Sequence, residues 1–361
     1  MRKVKLQRVF FGLLAALALA MVAYAVPFRD RCYDPAARDS TLISISRIDN
    51  GCVLYVRSGE VTISADACNK LTCNPGLLQV VRRASLTSLF ALVFAYLAAT
   101  TLYALRWRAL LGVTHAKLST YALWRVSTLA QMGGVLLPGG VGGDALRIVY
   151  VKGQGVPTGI AAATIVIDRA IGLTTLSVLA LLLALAMRTP WSPTLTVLVA
   201  LATGIPLALA ALVAISRKWG GEPLGRLERL RTVVDYLRTD GASSRVVYAF
   251  ALSFLVSASQ LLIVRGIVFA LGARPTVEGW VYGGSAISMM VSALPGLPQG
   301  WGTTDAAYVY FLDKAGITAA TALGVCLSYR LLYYVYVLVA VLLHAFDRRT
   351  ERSNTSNSLS S

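Results

Sequence analysis

The sequence predicts an all-α polytopic membrane protein. It has about six spanning helices, two oppositely oriented re-entrant hairpins arranged as an inverted repeat, and a small β-rich extracytoplasmic insert. Three observations carry this. First, 56% of the 361 residues are hydrophobic, only 14% are charged, and mean hydropathy is +0.65, whereas soluble domains carry about a quarter charged residues. Second, several apolar runs reach the roughly 20 residues that cross a bilayer core, and runs such as "LSVLALLLALAM" do not alternate as barrel strands would. Third, the two glycine- and proline-rich segments that interrupt the apolar pattern each carry charge. The net charge of +17 follows the membrane edges, so nucleic acid is not expected as a partner.

Residues 1–27 open with the basic "MRKVKLQR" and continue as an apolar run from Val9 to Val26. This reads as a first spanning helix. Ala23-Tyr24-Ala25 leaves a cleaved signal peptide as the alternative. Residues 28–83 follow as an insert on the outer side. "TLISISRI", "CVLYVRS" and "EVTISA" alternate or are β-branched, with "DNG" and "SG" between them, which predicts a β-meander. Cys32, Cys52, Cys68 and Cys73 lie here. An even count in such a segment predicts two disulfides, with connectivity left open, and offers a surface for a cell-envelope protein partner.

Residues 84–346 form the transmembrane domain. A helix from about Ser85 to Leu105 returns to the cytoplasm at "RWR". Residues 119–147 then hold "LLPGGVGGDALR", flanked on both sides by Lys and Arg. Cytoplasmic flanks on both sides predict a hairpin that enters and leaves on one face. Non-helical backbone at that depth requires burial in protein or a wet cavity. Spans follow at Thr158–Met187 and Thr194–Ile215. A basic linker, 216–245, carries a leucine stripe suited to an interfacial helix. Another span runs from Val246 to Leu271. Residues 280–314, with "SALPGLPQGWGTTDAAY", then re-enter from outside, and Thr318–Phe346 is the last span. Residues 347–361 read as a disordered cytoplasmic tail. Both termini are expected in the cytoplasm, in an inner membrane.

The halves share a plan. Pro138 precedes Arg169 by 31 residues and Pro295 precedes Arg330 by 35, each with glycines, an Asp and a spanning helix between or around them. Crossing in opposite directions, they describe an inverted repeat of broken helices, as in transporters. Asp168 and Arg330 fall near mid-membrane, where a lone charge costs at least about 2.5–3.5 kcal/mol. Asp168 is expected to pair with Arg330 or Arg169. Alternatively, Arg147, Arg169 and Arg330 line one cavity and hold an anionic headgroup, because the guanidinium fork bonds two oxygens. Asp144, Asp168 and Asp305 complete this substrate site. Gly139, Gly140, Gly142 and Gly143 in the first bend, and Gly296, Gly300 and Gly302 in the second, permit close approach and aim helix N-termini inward. Arg265 reads as snorkelling to the outer interface. The two histidines, His115 and His344, form no ligand pattern, and no metal, cofactor or catalytic residue is expected.

On "LLPGGVGGDALR", "DRAIG", "LPGLPQGWGTTDA" and the final "YR" helix, the chain resembles the lysylphosphatidylglycerol synthase transmembrane-region, or flippase-like, family. The resemblance implies a domain that moves lipid across the bilayer. It carries Pro138, Gly139, Gly143, Arg147, Arg169, Pro295, Gly296, Gly300, Gly302, Asp305 and Arg330 into the functional set. The chain departs from the family in Gly133-Gly134-Val135, where Asn is common before the first Leu-Pro, in Asp305 where Glu is frequent, in a longer second bend, and in the cysteine insert. These departures leave the lipid open. No soluble aminoacyl-transfer domain follows Phe346, so complete synthase activity is not expected. The first reading is translocation of an anionic phospholipid or polyprenyl-phosphate-linked lipid. A membrane subunit of a lipid-modifying or glycosyl-transfer enzyme and an envelope scaffold are the alternatives.

Overall fold

The computed structural model describes residues 30–33, 43–48, 51–56, 59–64, 72–74, 76–112, 118–136, 141–204, 231–292 and 300–359. The chain is a multi-pass helical membrane protein with a sheet near its start. Strands β1 (Asp30–Tyr33), β2 (Ile43–Ile48), β3 (Gly51–Val56), β4 (Gly59–Ser64) and β5 (Thr72–Asn74) pair antiparallel in the order β4-β3-β2-β1-β5. The alternating segments are where the strands lie. Cys68 lies outside the described residues, and Cys32, Cys52 and Cys73 are described in their backbones only.

Helices follow as α1 (Leu77–Arg83), α2 (Leu86–Leu111), α3 (Thr120–Leu136), α4 (Val141–Gly153), α5 (Thr158–Ala186), α6 (Pro193–Gly204), α7 (Arg231–Arg238), α8 (Ala242–Ala270), α9 (Glu278–Ser292), α10 (Thr303–Lys314) and α11 (Ala319–Leu359). Among the described residues four segments are long and apolar enough to span: α2, α5, α8 and Ala319–Val339 of α11. The expected first span, Val9–Val26, lies outside the described residues, and of Thr194–Ile215 only the part within α6 is described. α11 runs on to Leu359, past the limit at residue 346 and through most of the tail expected to be disordered. Arg348, Arg349, Glu351 and Arg352 are good helix formers without a proline or glycine to stop them.

α1 was not anticipated. It is a short basic-ended helix packed on α11, and α7 packs on α5 in the same way. This is one of a set of paired relationships. α3 packs on α11 as α9 packs on α5, and α3 and α4 pair as α9 and α10 do. α2 and α8 pack on each other. The described helices therefore form two five-helix repeats, α1–α5 and α7–α11, with α6 between them. α2 and α8 run antiparallel. The Ser85 N–H at the start of α2 donates to the Ala270 carbonyl at the end of α8 (2.8 Å), and Arg245 at the start of α8 lies against Gly112 just past α2. The repeats are thus oppositely directed.

The hairpin helices are short. α4 is 13 residues and α10 is 12, about 20 and 18 Å, less than the ~30 Å hydrocarbon core. Each hairpin begins and ends on one face. Arg108 at the end of α2 donates to the Thr120 hydroxyl at the start of α3 (2.6 Å), while Val151 and Val156, at the end of α4, share a core with Leu111 and Leu118. In the other repeat the Thr276 N–H before α9 donates to the Ala315 carbonyl after α10 (2.8 Å). Small residues let the helices approach, as packing without a hydrophobic drive requires. A β-carbon on Gly143 of α4 would stand 2.4 Å from the Ala130 carbonyl of α3. Gly142 is buried beside it. Pro138, Gly139, Gly140, Pro295 and Gly296 lie outside the described residues.

Candidate functional site

Four ion pairs organise the charges within the described residues, and they differ from the sequence expectation. Asp168 pairs with neither Arg330 nor Arg169. Its carboxylate accepts from Arg106 Nε (2.6 Å) and Nη2 (2.9 Å), and Arg106 Nη1 donates to Ser253 Oγ of α8 (2.9 Å). Both side chains are 5% or less exposed. Arg106, read as a cytoplasmic edge charge, lies six residues before the end of its helix, counting both ends. From there its long side chain folds inward to neutralise an aspartate that nothing else satisfies. The pair ties α2, α5 and α8 together, with Thr175 extending the hydroxyl contacts from Ser253 (2.7 Å).

Arg169 pairs with Asp144 (2.6 Å), and Arg330 with Asp305 (3.1 Å). In each repeat the aspartate stands in the first turn of the hairpin's second helix, and its arginine follows 25 residues later in the long helix. The equal spacing shows that the aspartates, not the prolines, are equivalent positions. The surroundings are unequal. Arg169 and Asp144 are 41% and 21% exposed, against 7% and 2% for Arg330 and Asp305. Arg265 does not simply snorkel: it forms a two-point pair with Glu278 of α9 (2.9 and 2.7 Å).

Among the described residues, two buried arginines keep donors without hydrogen-bond partners. Arg147 of α4 is buried, donates to the Tyr103 hydroxyl (2.7 Å), and lies over the rings of Tyr103 (4.8 Å) and Trp107 (5.4 Å). Its Nε has no partner, and among the described residues no carboxylate pairs with it. Arg106 covers the same Tyr103 ring (4.7 Å), so one aromatic ring contacts both a neutralised guanidinium and one that lacks a carboxylate. Arg330 lies 3.9 Å over the Trp301 ring centroid. Its Nη2 is within ion-pairing distance of Asp305, but neither terminal nitrogen is aligned for a hydrogen bond. Tyr308 Oη and Thr304 Oγ1 are buried nearby in α10 without partners.

Asp305 is held by its own helix start. Gly300 and Gly302 take left-handed conformations (φ 66 and 81°), which a β-carbon would oppose. They turn the Gly302 N–H onto Asp305 Oδ2 (2.8 Å), and the Cys326 thiol donates to Oδ1 (3.0 Å). Cys326 is free, as its place in a helix implies.

The residues matched by the model of the lysylphosphatidylglycerol synthase transmembrane region are 76–341. The chain belongs to that family. The match begins one residue before α1 and ends within α11. No curated protein matches the chain.

Within the family domain, the fold places Arg147 near the Arg106–Asp168 pair and Arg330 beside Asp305. Arg169, next to Asp168 in the chain, is held in a part-exposed pair with Asp144. The aromatic residues Trp124, Tyr336, Tyr96 and Tyr329 form a chain of edge and tilted contacts, with Tyr336 hydrogen-bonded to Thr128 of α3. Sequence reasoning missed Tyr103, Arg106, Trp107 and Trp301. The first three were legible as a pattern, since positions i, i+3 and i+4 share one helix face.

Proposed function

We propose that the protein moves a lipid with an anionic headgroup across the cytoplasmic membrane, with the phosphate held in turn by Arg147 and Arg330. The observation that carries this is the pair of buried guanidiniums, one in each repeat, that retain unpartnered N–H donors. Ionisable groups in spanning segments face the bundle interior and mark substrate paths, and a buried donor without a partner calls for one. A phosphate diester supplies two acceptor oxygens to the fork. In this reading the two helical hairpins re-enter the membrane, the first from the cytoplasm and the second from outside. Both chain termini are cytoplasmic, and the sheet of residues 30–74 lies outside. Asp168 belongs to the frame, because Arg106 already supplies donors to both of its oxygens.

The test is reconstitution in liposomes with fluorescent phosphatidylglycerol, followed by quenching of outer-leaflet label. Wild-type protein is expected to move label that mass spectrometry finds chemically unchanged. Arg147→Gln and Arg330→Gln are expected to slow movement roughly 10- to 150-fold, the range for losing a charged hydrogen bond, with Arg→Lys restoring part. Arg265→Gln is expected to match wild type. Movement no faster than in empty liposomes, or full activity in both glutamine variants, would sink the proposal.

A further inference from the structure

One junction is built differently in the two repeats. Where α7 packs on α5, Tyr236 fills the space. Its ring is buried, and its hydroxyl donates to the Leu110 carbonyl at the end of α2 (2.7 Å). Burial pushes the Tyr236 phenol up to about 12, so it stays protonated and keeps donating. The matching junction is where α1 packs on α11. Leu271 stands 34 residues before Asp305, as Leu110 stands before Asp144. Val80 lies six residues before the first residue of α2, as Tyr236 lies six before the first of α8. Val80 is far smaller than tyrosine, and here a cavity of about 270 Å³ remains.

Its lining includes Val80, Arg83, Leu271, Arg274, Thr318 and Thr321, and no acidic side chain. Arg83 and Arg274 are exposed at its mouth, and neither is in an ion pair among the described residues. Thr321 is buried, and the hydroxyls of Thr318 and Thr321 lie 3.0 Å apart. Two guanidiniums and two hydroxyls around one opening match a tetrahedral oxyanion, since the planar fork of arginine bonds two of its oxygens.

We propose that this cavity binds a phosphate group, carried by a lipid headgroup or free in solution, at the face of the molecule where α8 ends and α11 begins. The site is separate from Arg147 and Arg330 and does not depend on their role. The test uses full-length protein in phosphatidylcholine nanodiscs and titration calorimetry with two probes, dihexanoylphosphatidylglycerol and inorganic phosphate. At least one probe is expected to bind wild type. Arg83→Gln and Arg274→Gln are each expected to weaken that binding about tenfold, the lower end for charged hydrogen bonds. Val80→Tyr, which restores the plug and keeps both arginines, is expected to abolish it. Arg147→Gln should retain it, which separates this site from the central one. Tighter binding of the lipid assigns the phosphate to a headgroup, and equal binding assigns it to free phosphate. If Val80→Tyr does not fold, the two arginine variants decide alone. Failure of wild type to bind either probe, or unchanged binding in both arginine variants, would overturn the proposal.

Discussion

Gly155 and Gly316 close two copies of one turn. Each follows its hairpin aspartate, Asp144 or Asp305, by 11 residues, and each is left-handed, with φ 86 and 79°. The next N–H in each case returns five residues: Val156 to the Val151 carbonyl (3.1 Å), and Ile317 to the Leu312 carbonyl (3.0 Å). With the Gly155 and Gly316 N–H groups returning to the Lys152 and Asp313 carbonyls, this is the Schellman ending of a helix, and it holds the two repeats in step from the aspartate to the arginine 14 residues further on.

The same turn has unequal tolerance for a side chain. Gly155 faces open space, so Gly155→Ala should cost about 1–2 kcal/mol, the left-handed penalty alone. A β-carbon on Gly316 would meet Thr276 Oγ1 at 2.6 Å, so Gly316→Ala should cost more. Thermal unfolding in detergent measures both, and equal shifts would contradict the contact.

Arg106 and Asp168 should behave as a unit. Removing either charge leaves the other buried and unpaired, at a cost of about 3–5 kcal/mol. Asp168→Asn and Arg106→Gln should therefore each lower the melting temperature strongly, and the double variant should recover much of the loss. Additive losses in the double variant would mean that the pair is not coupled.

The two repeat-related pairs predict opposite magnitudes from the same chemical change. Asp144→Asn removes a half-exposed partner and should cost less than about 1 kcal/mol. Asp305→Asn strips a buried arginine, a thiol and a helix-start amide of one acceptor, and should cost several times as much. Paired unfolding curves would show it, and equal effects would refute the difference in burial.

Register sets Cys32 of β1 opposite Cys73 of β5. Facing residues in antiparallel strands have Cα atoms about 4.5–5.5 Å apart, within the span of a disulfide. Oxidised protein is expected to carry Cys32–Cys73, which leaves Cys52 with Cys68. Non-reducing peptide mapping tests this, and a Cys32–Cys52 peptide would exclude it.

The proposed re-entrant hairpins predict a membrane sidedness. Cysteines at Lys152 and Gln154 should react only with reagent on the cytoplasmic face, and cysteines at Arg274 and Asp313 only with reagent outside. Labelling of Lys152 and Asp313 positions from one side would remove the re-entrant arrangement.

Composition and the length of the apolar runs decide by themselves that this chain is helical and resides in a membrane, because a bilayer leaves few other ways to satisfy the backbone. The glycine-rich bends, strand alternation in 43–64 and the paired Asp and Arg are local patterns, and they are readable without coordinates. The ionic partners are not, because pairing depends on which helices touch. Asp168 meets Arg106, 62 residues away, since α2 crosses α5 where both reach toward α8. The proline anchors gave unequal spacings of 31 and 35, because the bends differ in length. Only the folded chain showed that the helix starts, and so the aspartates, are what the repeats hold in common. Exposure was also a tertiary matter: Arg169 and Arg330 occupy equivalent places in sequence, yet one is half-exposed and the other sealed. The neighbours of a side chain are set by packing across the repeat interface, and one repeat's sequence carries no record of what the other places against it.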